Sequence, residues 1–90
     1  MNQTDIINAM LQILREHGKR SLGTFNFQLP DDGTIGAVVR WISEDAEEFK
    51  SIRAAANKAG LWFGLPRRIQ RYPNGSEEIS VLVVENNRKR

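Results

Sequence analysis

The stretch Thr34–Leu65, TIGAVVRWISEDAEEFKSIRAAANKAGLWFGL, decides the fold of this chain. Its first part, Thr34–Ile42, is rich in β-branched and aromatic residues and predicts a strand. From Glu44 to Ala59 the apolar residues recur at spacings of three and four, which predicts a helix with one buried side. Residues 61–63, Leu-Trp-Phe, then begin a second extended run. The stretch as a whole predicts a strand-helix-strand unit.

The two ends of this helix carry signals of their own. We expect Ser43 to cap the N-terminus with its hydroxyl and Gly60 to follow the C-terminus in a left-handed conformation. The acidic run Glu44–Glu48 falls at the positive end of the helix dipole. We interpret the run as a solvated face, and an acidic patch for a basic partner or a divalent ion remains the alternative.

The rest of the chain supplies one more helix and a strand on either side of the unit. Residues 4–17 carry an apolar stripe and predict the first helix, with Thr4 or Asn2 as its cap. Thr24–Leu29 alternates strictly, which predicts a half-buried strand with Phe25, Phe27 and Leu29 on the buried side. Ile79–Val84 is the last predicted strand.

A hairpin is expected just before that last strand. Pro73 suits the first position of a turn, and Gly75 is predicted to have a positive φ and to close a three-residue loop. This loop length pairs Ile69 with Ile79, so that apolar residues oppose each other, and it sets Arg71 opposite Glu77.

Together these elements predict an α+β fold of order α-β-β-α-β-β. We expect two amphipathic helices on one face of a four-stranded, mainly antiparallel sheet. Residues 1–85 are predicted to form one small domain, and residues 86–90 a flexible basic tail. The predicted core consists of Ile6, Met10, Leu14, Phe25, Phe27, Val39, Trp41, Phe49, Ile52, Ile79, Val81 and Val83.

The sheet face opposite the helices is the first candidate site. It is predicted to show Asn26, Gln28, Val38, Arg40, Ile42, Arg68, Gln70, Tyr72, Leu82 and Val84. Arginine, tyrosine and exposed apolar groups together are typical of protein interfaces. The sequence therefore favours a small protein-binding regulator, adaptor or inhibitor of a larger complex, or a self-associating protein. The candidate interface residues are Val38, Arg40, Ile42, Trp62, Tyr72 and Leu82.

Basic residues form three groups that support a second hypothesis, a nucleic-acid-binding module. The groups are Lys19 and Arg20; Arg67, Arg68 and Arg71; and Arg88, Lys89 and Arg90. Such groups can track phosphates beside a stacking aromatic residue. The net charge of +2 gives this hypothesis little support. Charged side chains on a strand also serve simply to protect a sheet edge.

No catalytic or cofactor motif is visible in the sequence. His17 is the only histidine and is interpreted as a helix-end residue, and the chain contains no cysteine for a thiolate metal site or a disulfide. The glycines do not form a phosphate-binding loop. We therefore expect a protein that is not an enzyme and has no cofactor or metal. Because the apolar runs are too short to span a bilayer, we also expect a cytoplasmic protein without a membrane partner.

Overall fold

The computed structural model describes residues 2–28 and 33–86. Its elements are α1 (Gln3–Glu16), β1 (Gly23–Gln28), β2 (Ile35–Ser43), α2 (Ala46–Lys58), β3 (Leu61–Arg71) and β4 (Glu77–Glu85). Their order and the antiparallel sheet confirm the predicted α+β class. The predicted inward position of Leu29 and the basic residues Arg88–Arg90 lie outside the described residues.

The sheet has the strand order β1-β2-β4-β3, and every neighbouring pair is antiparallel. β4 lies between β2 and β3, so β1 and β3 are the two edges. Burial alternates along β2 and β4 because successive side chains point to opposite faces. One face, here termed the covered face, packs against α1 and α2. The other is termed the open face.

The first helix has a complete cap at each end. The Asn2 side chain accepts a hydrogen bond from the Asp5 backbone N–H at 2.8 Å, and the Asp5 carboxylate accepts one from the Asn2 N–H. This reciprocal capping box confirms Asn2 as the cap. At the other end Gly18 has a φ of 71°. The Nδ1–H of His17 donates to the Ile13 carbonyl at 2.9 Å, which places the histidine at the helix end as expected.

The second helix begins later than predicted. Asp45 is its N-cap and accepts from the Glu48 N–H at 2.9 Å, so the prediction of Ser43 as the cap was wrong. The reason is that β2 continues to pair with β4 as far as Ser43, which lies opposite Glu77. Strand pairing thus extends through the predicted cap. The predicted left-handed conformation of Gly60 is confirmed by its φ of 87°.

The core fills the space between the covered face and the two helices. Trp41 is completely buried, and its ring stacks on Phe49 with 6.2 Å between centroids and packs against Phe63 at 5.9 Å. Phe49 itself is only half-buried and packs against the edge of the core, a correction to its predicted core position. The Arg53 guanidinium carbon lies 5.7 Å from the centroid of its ring. The buried apolar residues are Ile6, Met10, Ile13, Leu14, Ala37, Val39, Trp41, Ile52, Ala56, Leu61, Phe63, Ile79, Val81 and Val83.

The aromatic residues of β1 do not join this core, contrary to prediction. Phe25 lies opposite Val38 and Phe27 opposite Gly36. Directly opposed residues project from the same face, so both phenylalanines point to the open face. Phe25 is 57% exposed and Phe27 is half-buried.

The opposite side of β1 is polar, and this side shares the covered face. Asn26 lies opposite Ala37, and Gln28 lies opposite Ile35, so the predicted open-face positions of Asn26 and Gln28 were wrong. The helices explain this choice, since α1 packs mainly on β2 and α2 mainly on β3. Because α1 and α2 centre on other strands, the apolar side of β1 instead joins the apolar residues of the open face.

The hairpin between β3 and β4 has the predicted loop. The Gly75 N–H donates to the Tyr72 carbonyl at 2.9 Å, and the Tyr72 N–H donates to the Ser76 carbonyl at 2.8 Å. Gly75 has a φ of 94°, and Arg71 lies opposite Glu77. The positive φ, the three-residue loop and this pair are all confirmed.

The register changes further along β3. Irregularities between Gly64 and Arg67 and between Arg68 and Gln70 set Arg68 opposite Ile79, so the predicted pair of Ile69 with Ile79 was wrong. Ile69 is 52% exposed. Arg68 lies on the covered face, contrary to its predicted position on the open face. Pro66, which cannot donate to a ladder, lies in the first irregularity, as is typical of proline in an edge strand.

Candidate protein interface

Two cross-strand rows make one end of the open face apolar. The first row runs Phe27, Gly36, Val84, Trp62, and the second runs Phe25, Val38, Leu82, Gly64. The rows cross all four strands, a width of roughly 14 Å at about 4.8 Å between strands. We define the apolar patch as the six side chains Phe25, Phe27, Val38, Trp62, Leu82 and Val84.

The patch is most exposed at its two ends, and in its middle the apolar side chains of β2 and β4 form a surface without a gap. Phe25 on one edge strand is 57% exposed and Trp62 on the other is 44% exposed. Gly36 has no side chain, and this lets β4 approach closely. A Cβ at this position would lie 2.5 Å from the Val83 carbonyl oxygen and 2.8 Å from Val84 Cγ1. The Val84 side chain therefore occupies the space beside Gly36, and no gap separates β2 from β4.

The next row of the open face is polar. Arg40 lies opposite Ser80, which in turn lies opposite Arg67. Arg40 Nη1 is 2.8 Å from Glu78 Oε2, and the Glu78 side chain is largely buried, so this arginine is already neutralised. Arg67 forms no ion pair with a carboxylate in residues 2–28 or 33–86. Among the described residues of this row, Arg67 is therefore the guanidinium group without a carboxylate partner, and it stands at the sheet edge where its side chain also borders the cleft of Arg68 and Arg71.

The six predicted interface residues are brought close together. Val38, Arg40, Ile42, Trp62 and Leu82 all lie on the open face, and Val38 is directly opposite Leu82. Tyr72 lies beyond the end of β3 and shares a depression of about 580 Å³ with Ile42. The predicted group is therefore one surface with an extension toward the hairpin loop.

Phe25 and Phe27 belong to the apolar patch, whereas the sequence pattern predicted them in the core. Their alternation with polar residues identified an apolar side of β1 correctly. Alternation alone does not say which face of a sheet that side joins. The apolar open-face residues of β2, Val38 above all, were the available signal, since the neighbouring strand had apolar residues on both faces.

The first predicted basic group is engaged in holding the fold together. Lys19 Nζ lies 3.0 Å from Glu48 Oε1 and 3.7 Å from Glu44 Oε2, and its side chain is only 13% exposed. It links the end of α1 to the start of α2. Arg20 is exposed. The acidic run at the start of α2 therefore serves partly as the partner of Lys19.

The second basic group lies on the edge strand β3, and its three arginines border one cleft. Arg68 Nε and Arg71 Nη2 each lie 2.9 Å from Glu77 Oε2, on the covered face. The hydrogen bond from Arg71 and the weaker influence of Arg68 hold the pKa of the Glu77 carboxyl below its ordinary value of 4.5. These side chains line a cleft of about 510 Å³ beside Phe49. Arg67 lies opposite Ser80 in an open-face row, but its side chain also lines this cleft at the edge strand, so the three arginines do border one cleft.

Other kinds of site find little support in the described part of the chain. No group of three or more His, Cys, Asp or Glu residues there is placed to hold a metal ion. Among the described residues, no helix is both long and apolar enough to cross a membrane. No protein-family model, curated protein or solved structure matches this chain.

Proposed function

We propose that this chain is a non-enzymatic protein-binding module, acting as a regulator, adaptor or inhibitor of a larger complex. The apolar patch carries the proposal. It crosses the whole sheet, has Phe25 and Trp62 exposed at its ends, and is followed by a polar row. Exposed apolar patches with a polar rim mark interaction sites, and aromatic residues and arginine are enriched in interfaces.

The chemistry of the face defines what kind of surface would fit it. Apolar side chains of the partner would pack over Val38 and Leu82, between the exposed rings of Phe25 and Trp62. Arg67 stands in the next row without a carboxylate in the described part of the chain, so an acidic residue of the partner is expected beside it. The partner surface is thus apolar with an acidic margin.

A cytoplasmic location and the absence of a catalytic step belong to the same proposal. The chain has no cysteine, which suits a reducing compartment. Its one histidine uses Nδ1 at the end of α1, and nucleophilic catalysis needs a base positioned beside a nucleophile. Both features favour a binding role over catalysis.

A nucleic-acid-binding module is the second candidate, and the exposed rings favour it. Phe25 and Trp62 on a sheet surface can stack unpaired bases. The charges favour it less. The cations of Lys19, Arg40, Arg68 and Arg71 each already face a carboxylate of this chain. A phosphate backbone would therefore have to compete with existing ion pairs.

Capture from cell lysate, with and without nuclease, would test the proposal. The immobilised chain is compared with a patch variant, Phe25→Ser/Trp62→Ser, and with a matched control, Leu22→Ser/Ile69→Ser. The control removes two other exposed apolar side chains, 44% and 52% exposed, that lie outside the patch. It therefore separates a specific surface from general stickiness.

We expect proteins that survive nuclease treatment, that are lost with the patch variant, and that are retained by the control. With a purified partner, the patch variant should bind at least roughly tenfold more weakly, because well-packed aromatic anchors dominate interfaces. Equal capture by both variants would refute the proposal. Loss of all captured material on nuclease treatment, with binding that falls steeply with salt, would support the second candidate instead.

A further inference from the structure

The two edges of the sheet differ in how well they are protected. β3 carries two register irregularities, Pro66 and three arginines, all features that discourage pairing with another strand. β1 pairs with β2 through six consecutive residues without irregularity, and its sequence GTFNFQ has no charge and no proline. β1 is therefore a regular edge strand with uncharged side chains, to which another strand can pair.

The residues of β1 are self-complementary about Asn26. From Thr24 to Gln28 the order is polar, aromatic, polar, aromatic, polar. If a second copy lies antiparallel with its Asn26 opposite this one, Phe25 faces Phe27 of the second copy and Thr24 faces its Gln28. A shift by two residues in either direction leaves a single aromatic pair: one direction pairs Phe25 with Phe25 and sets Gly23 opposite Phe27, and the other pairs Phe27 with Phe27 and sets Phe25 opposite residue 29, outside the described strand. The hydrophobic pattern therefore selects the register centred on Asn26.

We propose that β1 pairs with β1 of a second copy of this chain, with a two-fold axis at Asn26. Two four-stranded sheets would become one sheet of eight strands. The two aromatic pairs lie on the open face, so the two apolar patches become continuous. On the covered side only uncharged polar residues meet. The pairing rests on the β1 edge and is independent of which molecule binds the open face.

Single cysteines provide the test, because the chain contains none of its own. Directly opposed Cα atoms of antiparallel strands lie about 4.5–5.5 Å apart, within the range that a disulfide spans. We expect Asn26→Cys to form a cross-linked dimer under mild oxidation. Thr24→Cys or Gln28→Cys alone should not, since equivalent residues lie roughly 13 Å apart along the strands. A mixture of these two variants should cross-link.

Two controls complete the design. Asn57→Cys places a thiol on the exposed side of α2 and measures random collision. Asn26→Lys sets like charges opposite each other on the axis and should weaken dimerisation by roughly tenfold or more in sedimentation measurements. This variant should still capture the open-face partner, so the dimer and the proposed function fail separately.

The proposal requires that the unmodified chain sediments with twice its monomer mass in a concentration-dependent manner. A monomer at every concentration used for cross-linking would overturn it. Cross-linking of Asn57→Cys or Thr24→Cys as efficient as that of Asn26→Cys would overturn it as well. Dimerisation that persists in Asn26→Lys would show that another surface joins the copies.

Discussion

The two faces of the sheet contain the same kinds of residue but differ in how far these residues are buried. The covered face buries Trp41 and Phe63, whereas the open face leaves Phe25 and Trp62 substantially exposed. The helices account for the difference, because they pack on only one face. Apolar content alone thus does not determine burial in this chain. We expect side chains of the covered face to contribute most to the free energy of unfolding. We expect side chains of the open face to contribute most to the free energy of binding.

The largest effect should separate the two tryptophans. Trp41→Ala removes a fully buried ring that stacks on Phe49 and should lower the free energy of unfolding by about 3–5 kcal/mol. Trp62→Ala is the matched control on the open face and should cost at most about half as much, because much of its ring is already in solvent. Chemical denaturation measures both. Equal losses would mean that the two faces contribute alike to stability.

Gly36→Ala should have the next largest effect and is the exception on the open face. A Cβ at this position meets a backbone carbonyl oxygen of β4 at 2.5 Å, so the strands must shift. We expect a loss of about 1–3 kcal/mol, as for other overpacked sites. Gly64→Ala is the control, since its Cβ has an ordinary 3.7 Å contact. A neutral Gly36→Ala would contradict the close approach of β2 and β4.

Phe25→Ala should affect binding more than stability. With 57% of the residue exposed, its truncation should change the free energy of unfolding by less than about 1 kcal/mol. Leu82→Ser, in the middle of the same patch, should weaken binding more than any single arginine substitution. Titration with the captured partner, beside denaturation of each variant, makes the comparison. A large loss of stability from Phe25→Ala would show that this ring stabilises the fold as a core residue does.

The smallest effect should come from Glu77, at the margin of the covered face. Its pKa is lowered in the folded state, so ionised Glu77 stabilises the fold above its ordinary value of 4.5, and this contribution disappears as the pH falls through the lower folded-state value. Glu77→Gln should therefore be slightly less stable than the parent chain at pH 7. The difference should vanish in acid. A constant difference from pH 7 to the acid limit would show that the arginine contacts are not responsible.

Local signals in the sequence predicted much of the fold. The N-cap of α1, predicted as Thr4 or Asn2 and found at Asn2, the left-handed Gly60 and Gly75, and the three-residue hairpin loop each depend on a few neighbouring residues. Four of the six predicted interface residues, Val38, Arg40, Ile42 and Leu82, share one face because β2 and β4 alternate and the alternation of a central strand is easily assigned, and Trp62 of the edge strand β3 joins them. These features follow from local chemistry and from a period of two.

Features that depend on distant elements were not predictable in this way. The side of β1 that faces the helices depends on where α1 packs, and α1 lies mainly on β2. The register of β3 depends on two irregularities that the alternation of apolar residues does not reveal. Pro66 was a partial signal for the first of them. Consequently the aromatic ends of the patch and the shared ion pairing of Arg68 and Arg71 with Glu77 emerged only from the three-dimensional arrangement.

The contrast between the two tryptophans also makes the chain its own optical reporter. Trp41 is enclosed in the core, and Trp62 stands at the margin of the apolar patch with 44% of its surface exposed. Their fluorescence should therefore differ in emission wavelength and in sensitivity to a dissolved quencher such as iodide. With Trp62→Phe, the remaining emission follows unfolding alone. With Trp41→Phe, where the variant folds, the remaining emission follows occupation of the open face without any added label.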